Sequence, residues 1–276
     1  MIENLREKIR EKSPLIHCIT NPISMNLCAN GILALGARPI MAEHPLEVEE
    51  ITRTAGALLL NLGNISDTRI DAMKRAAREA EKYQIPIILD AVGVACSKLR
   101  RTVAQEILQM VHVTVVKGNA SEIQALYQKD YYANGVDAEK NLETKQAAYA
   151  AISVAHTYHT MVLVSGKVDF ITDGKKLIQI QNGSPQLATI TGTGCMLGAI
   201  CACCLSVSQG IEAPETACAV LGICGELAET EKGSGSFQAY LLDALSRCKE
   251  DEIQKLLKEE VVEVEEHEFK TLCNHR

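Results

Sequence analysis

Four short segments of this chain carry residues that handle phosphate in other settings. Asp90 closes "PIILD", Lys117, Asn119 and Glu122 sit in "VVKGNASEI", Ser165 ends "VLVS", and Gly192-Thr193-Gly194-Cys195 opens a run of small residues. Two carboxylates, a cation and a glycine-rich helix start are the parts that Mg²⁺-assisted phosphoryl transfer uses. The glycines let main-chain N–H groups approach a phosphate, and the helix behind them adds its positive end. Each residue also has a plainer reading: Asp90 as a loop cap, Asn119 as a helix N-cap, Glu122 as its capping-box partner, and the glycines as a tight turn. The chain has no GxxxxGK[ST], which excludes a P-loop, and no GxGxxG after its first strand, which argues against a dinucleotide-binding fold.

The elements around these residues indicate how they are brought together. Short, nearly continuous apolar runs at Leu15–Ile19, Arg38–Met41, Ala57–Asn61, Pro86–Asp90, Val113–Lys117 and Met161–Ser165 read as strands covered on both faces. Amphipathic stretches alternate with them. Ser66 and Asp67 open a helix over Ser66–Tyr83, and Asn21-Pro22 reads as an N-cap and first helical residue. Asp173-Gly174, between Val168–Thr172 and Lys175–Gln181, predicts a hairpin and an antiparallel edge. Beyond Gly192 the pattern becomes helical over Thr193–Gln209, Pro214–Glu231 and Ser236–Lys249, followed by an acidic amphipathic tail. With no linker, repeat or low-complexity segment, the expectation is a single α/β domain over residues 1–276, three-layered, with helices on both faces of a mainly parallel central sheet. Ligands of such sheets collect beyond the carboxyl ends of the strands, where Asp90, Lys117 and Ser165 fall.

Bulk properties narrow the function. The net charge is −7, from 28 basic and 35 acidic side chains with no basic stripe, so neither nucleic acid nor a membrane surface is an expected partner. No apolar run approaches the ~20 residues that span a bilayer. Met1 to Lys12 is charged and helix-like rather than a signal peptide, and the reading is cytoplasmic. Eleven cysteines, several inside helical patterns and without metal-ligand spacing, read as reduced, buried small hydrophobes; Cys195 alone has a setting that argues for chemistry.

The segments "ITNPISMNLCANGILALGARPIMA" (19–42), "LNLGNIS" (60–66), "PIILDAVG" (86–93), "VVKGNASEI" (115–123), "TGTGC" (191–195) and "KGSGSFQ" (232–238) together resemble the hydroxyethylthiazole kinases, a ribokinase-like family of thiamine salvage. The match runs in order from about residue 13 to 245. It implies a ribokinase-like fold and transfer of phosphate from ATP to the hydroxyl of 5-(2-hydroxyethyl)-4-methylthiazole. It further implies Mg²⁺ organised by Asp90 and Glu122, ATP contacts from Lys117, Asn119, Ser165 and Gly194, and an acceptor site lined by Met41, Gly192 and Asn21. The resemblance also implies that Cys195 takes the catalytic position, where most of the superfamily has aspartate, and that the protein is a homotrimer with active sites at subunit contacts. Two positions depart from the family pattern. Lys117 stands where an arginine is usual, replacing a planar fork with a point charge. Ala91 stands where a proline is usual, which implies a looser turn after Asp90.

A thiol at the catalytic position suits the chemistry. An alcohol attacking ATP through a loose transition state needs position and charge stabilisation more than prior deprotonation, so a strong base is dispensable and a thiol is a candidate late proton acceptor. The alternative is a residue that fits a tight spot below the alcohol. Other readings remain. A hydroxymethylpyrimidine-type kinase is disfavoured by Cys195 in place of aspartate, and a non-catalytic metabolite-binding protein of the same fold by the carboxylate pair. A cysteine hydrolase would need His17, His112, His156 or His159 beside Cys195, and no motif brings any of them there.

Overall fold

Among the described residues nine strands form one sheet: β1 (Leu15–Ile19), β2 (Arg38–Ile40), β3 (Ala57–Asn61), β4 (Ile87–Asp90), β5 (Val115–Asn119), β6 (Met161–Ser165), β7 (Asp169–Thr172), β8 (Lys176–Ile180) and β9 (Glu259–Glu263). The structure is a computed structural model that describes residues 4–128 and 140–263. The strand order is β2-β1-β3-β4-β5-β6-β7-β8-β9, parallel from β2 to β6 and antiparallel from β6 to β9. Because successive side chains point to opposite faces, each central strand feeds two cores at once. In β3, Ala57 and Leu59 enter one core, and Leu58 and Leu60 the other.

Helices cover both faces. They are α1 (Leu5–Lys12), α2 (Met25–Leu35), α3 (Val48–Arg53), α4 (Asp67–Lys82), α5 (Lys98–Met110), α6 (Ala120–Tyr127), α7 (Lys140–Tyr158), α8 (Thr193–Leu205), α9 (Glu212–Leu227), α10 (Ser234–Arg247) and α11 (Glu250–Leu256). One core joins α1, α2, α8, α9 and α10 to the sheet, and the other joins α4 to α7. Helix α8 is the central one. Every residue from Met196 to Leu205 is buried, as its all-round apolar sequence of Gly, Ala, Cys, Leu and Ile requires. Its small residues bring it close to the sheet: a Cβ on Gly198 would lie 3.3 Å from Leu59 Cδ1. The thiols of Cys201, Cys203 and Cys204 are buried, and burial pushes each above its ordinary value. No helix among the described residues is long and apolar enough to cross a membrane.

The three-layer architecture matches the sequence expectation, with local corrections. Helix α2 begins at Met25 rather than beside Pro22, because Asn21 Oδ1 accepts the Ser24 N–H at 3.1 Å and holds residues 22–24 in a turn. Strand β5 runs to Asn119, two residues beyond the predicted end, since Gly118 and Asn119 pair with Val164 and Ser165. Helix α8 stops at Leu205, short of Gln209. The acidic amphipathic tail contributes α11 and then a strand not read from the sequence: Glu259–Glu263 adds β9 to the antiparallel edge, and the remainder beyond residue 263 lies outside the described residues. The turn after Asp90 is not loosened by Ala91. Ala91 is fully buried and donates its N–H to Lys117 O at 2.8 Å, a ladder bond that a proline cannot make.

Candidate active site

Parallel register places Asn61 of β3, Asp90 of β4 and Lys117 of β5 abreast at the carboxyl edge, and Asn119 beside Ser165. Lys117 Nζ lies 3.3 Å from each oxygen of Asp90, and Asn61 Nδ2 donates to Asp90 Oδ2 at 2.9 Å. Asp90 and Asn61 are fully buried and Lys117 is 3% exposed. Burial drives the Asp90 carboxyl up to about 6, against the opposing pull of Lys117, and the nearby Glu122 adds to the rise. Burial also opposes charge on Lys117, but Asp90 and the other anionic neighbours outweigh it and hold the ammonium above its usual range. Near neutral pH the pair is therefore a desolvated carboxylate–ammonium contact.

Over this pair sits the start of α8. Gly192, the N-cap, has φ 95°, a left-handed conformation that glycine adopts without strain, and a Cβ there would lie 2.8 Å from Ser24 Cβ. A Cβ on Gly194 would stand 3.6 Å from Lys117 Nζ, so the lysine head lies directly under the glycine turn. Thr193 Oγ1 donates to Leu187 O at 2.9 Å and fixes the turn to the preceding 3₁₀ segment, Pro185–Thr189.

Cys195 is half-buried and joins the strand tips through two amides. Asn21 Nδ2 is 3.4 Å from Cys195 Sγ and 3.1 Å from Asn61 Oδ1, while Asn61 Oδ1 also accepts the Gly63 N–H at 2.9 Å. The donors fix both amide orientations: Asn61 Oδ1 faces two N–H groups, and Asn21 Oδ1 faces the Ser24 N–H, so Asn21 Nδ2 donates to the sulfur. A chain thus runs Asp90–Asn61–Asn21–Cys195. Asn61 was not among the sequence-predicted site residues. Its signal was its place at the tip of a strand adjoining Asp90, inside "LNLGNIS".

Glu122 is committed to the main chain. Its oxygens accept the Gly93 N–H at 2.7 Å and the Asn119 N–H at 2.8 Å, while Asn119 Oδ1 accepts the Glu122 N–H at 2.9 Å. The capping box is complete, and it links the loop after Asp90 to the start of α6. Ser165 Oγ donates to Gly118 O at 3.4 Å. Among the described residues no three His, Cys, Asp or Glu side chains form a cluster able to hold a metal by themselves.

Ser165 and Gly194 line a cavity of about 590 Å³ that extends to Asn182, Pro185 and Leu221. Asp169 stands in the same cavity, raised to about 6 by burial, with its Oδ1 accepting the Gly166 N–H at 2.9 Å. Asn21, Met41, Gly192 and Cys195 are outside its lining. Met41 is half-buried and packs on the same core as Cys195. The histidines offered as partners for a nucleophilic cysteine are elsewhere. His17 bonds Thr52 and Ala42, His112 and His159 line a recess with Gln209, and His156 lies against Gly174.

The model of the hydroxyethylthiazole kinase family matches residues 6–251. "Hydroxyethylthiazole kinase 2" of Clostridium botulinum strain 657 is 42% identical over 261 residues, covering 92% of this chain and 98% of that protein. The solved structure of a Pyrococcus horikoshii OT3 hydroxyethylthiazole kinase superposes with a TM-score of 0.87 at 36% identity, over 95% of this chain and 99% of the other. A Staphylococcus aureus pyridoxal kinase in complex with AMP-PCP and pyridoxal, 15% identical with a TM-score of 0.60 over 91% of this chain and 99% of its own, shares the ribokinase-like fold. Extent, identity and fold agree, and the chain belongs to the hydroxyethylthiazole kinase family.

Proposed function

We propose that this protein transfers the γ-phosphoryl group of ATP to the hydroxyl of 5-(2-hydroxyethyl)-4-methylthiazole, in thiamine salvage. The observation that carries the reading is the glycine turn of α8 lying over the buried Lys117–Asp90 pair, in a chain of this family. The alcohol oxygen attacks the γ-phosphorus, the bond to the β–γ bridging oxygen breaks, and ADP leaves with the electron pair. The α8 N–H groups and the Lys117 charge face the phosphate that gains negative charge. Cys195, entering as the thiolate, receives the alcohol proton late at Sγ, and the thiol so formed returns it to solvent. Ser165, Asn119, Gly194 and Lys117 form the nucleotide side, and Met41, Gly192 and Asn21 the acceptor side.

Asp90 and Glu122 would hold the Mg²⁺ that accompanies ATP. The donor set fits an ion that brings most of its ligands as water and phosphate oxygens: one carboxylate at the tip of β4 and one in the first turn of α6, each already bonded to protein donors, and no protein-only cage among the described residues. When bound, Mg²⁺ neutralises charge developing on the phosphates. The reading is of one kinase domain that works in the cytoplasm, where ATP is supplied, as a homotrimer. Purified protein with Mg-ATP and the thiazole alcohol is expected to release ADP and form one phosphate monoester visible by ³¹P NMR. ADP release equal to that of an alcohol-free blank would overturn the reading.

A further inference from the structure

The loop of residues 41–47, between β2 and α3, leaves the sheet at Met41 and ends in an open tip, with Leu46 85% exposed. Its own main-chain bonds lie at its far end, from the Glu47 and Val48 N–H groups to His44 O. Nearer the sheet, side chains from two other elements fasten it.

From below comes His17, fully buried on β1. Its Nε2 is 2.9 Å from Ala42 O and its Nδ1 is 2.8 Å from Thr52 Oγ1 on α3. A carbonyl can only accept, so Nε2 carries the proton and Nδ1 accepts from the Thr52 hydroxyl. Strand β2 ends at Ile40, opposite His17 in the ladder, and the ring reaches past that end to give Ala42 a donor the sheet no longer supplies. From outside comes Arg69 of α4. Its Nε and Nη2 donate to the two Glu43 oxygens at 2.8 and 3.2 Å, and its Nη1 donates to Asn64 O at 2.6 Å. The planar fork grips two loops at once, which a lysine cannot do. Neither side chain touches the cavity, the strand-tip row or Cys195 in any bond described above.

We infer that His17 and Arg69 are positioning residues for the phosphate acceptor: by fixing Ala42 and Glu43 they hold the adjoining Met41 as one wall of the acceptor site. The inference rests on the proposed acceptor role of Met41. Its signature is one-sided. Losing either fastening loosens the acceptor wall and leaves the nucleotide side, built on β5, β6 and the start of α8, as it was.

The test is steady-state kinetics with Mg-ATP and the thiazole alcohol on wild type, Arg69→Ala, Arg69→Lys, His17→Leu and His17→Gln. Arg69→Ala and His17→Leu are expected to raise the acceptor KM by about tenfold with the ATP KM within about twofold. Arg69→Lys should lie between wild type and alanine, and His17→Gln, which keeps a donor of similar reach, should recover most of the loss. An ATP KM rising in step with the acceptor KM, or an unmoved acceptor KM in folded Arg69→Ala, overturns the inference. Should His17→Leu fail to fold, the Arg69 pair decides, because Glu43, the partner in that fastening, is half-exposed. Wild type without acceptor-dependent turnover would instead overturn the functional reading itself.

Discussion

Around the ends of β3, β4 and β5 the charged side chains and Asn61 are buried: Asp90 is bonded to Lys117 and Asn61, and Glu122, in the first turn of α6, to two main-chain N–H groups. Beside β1 and β2, Asn21 is buried while Met41, Gly192 and Cys195 are half-buried, and Asn21 to Cys195 Sγ is the one bond described between two of their side chains. The first region is charged and already organised, so it can meet developing phosphate charge with little rearrangement. The second is neutral and shaped mainly by the turn at Gly192 and the loop carrying Met41. Such a division suits a loose phosphoryl transfer, in which electrostatics and position do most of the work and proton removal little. It also places Cys195 at the join, tied to the charged row through Asn21 and Asn61.

The sharpest way to break this contrast is to remove charge from the organised side. Asp90→Asn is expected to cut kcat by about 10³-fold. It should also lower stability by roughly 3–5 kcal/mol, because Lys117 is left buried without its counter-ion. Adding Lys117→Met should restore the melting temperature but not the turnover, separating the two roles. Wild-type turnover in Asp90→Asn would remove the carboxylate from the mechanism. Glu122→Gln comes next: it keeps one accepting oxygen for the capping network but loses the charge. We expect a fall in kcat on the order of 10² and a higher Mg²⁺ concentration for half-maximal rate. An unchanged Mg²⁺ titration would confine Glu122 to its capping box.

The two regions were unequally legible in the sequence. The parallel strands were legible because residues buried on both faces are nearly all apolar, and Asp90, Lys117 and Ser165 stood out as polar ends of such runs. Whether those ends meet was not legible, since it depends on register: Asp90 opposes Lys117 only because β4 and β5 pair at that offset. Asn61 was missed because an amide at a strand end looks like any loop residue until its neighbours across the sheet are known. The start of α2 was misplaced because Asn21 caps a turn as readily as a helix, and Asn-Pro does not distinguish them. The strand in the acidic tail was hidden because Val261 and Val262 are 50% and 42% exposed, so half-wet edge residues gave no buried run to read.

On the neutral side the effects should be smaller. Cys195→Ser is expected to lose about tenfold in kcat, since a hydroxyl is the weaker acceptor and general-base help is limited in a loose transfer. Cys195→Asp should restore or exceed the wild-type rate, reproducing the residue usual in the wider superfamily. Asn21→Ala should resemble Cys195→Ser, because it removes the donor to the sulfur. Measured at saturating ATP, wild-type kcat in Cys195→Ala would make the thiol a spacer, and the join between the regions would carry no proton.

The smallest effect reaches the contrast through stability. His17 sits under the loop of residues 41–47 with both ring nitrogens bonded, and its pKa is lowered, chiefly by burial; the Ala42 carbonyl and the Glu47 charge pull the other way. The unfolded chain offers an ordinary histidine that titrates near 6.5. Between that value and the lower folded one, the unfolded state holds a proton that the folded state refuses. Acidification therefore favours unfolding, and the stability linked to His17 is complete above about pH 6.5 and is lost as pH falls toward the folded value. The slope is at most about 1.4 kcal/mol per pH unit for one such group, a few degrees of melting temperature in a chain of this size. Melting curves from pH 7.5 to 5.5 should fall more steeply for wild type than for His17→Gln, which has nothing to titrate there. Asp90, Asp169 and Glu215, which burial raises into this range, are present in both proteins, so the difference in slope isolates His17. Parallel curves would mean that His17 is protonated as readily in the folded protein as in the unfolded one, and that the ring under the loop of residues 41–47 is not the neutral, single-tautomer link its bonds require.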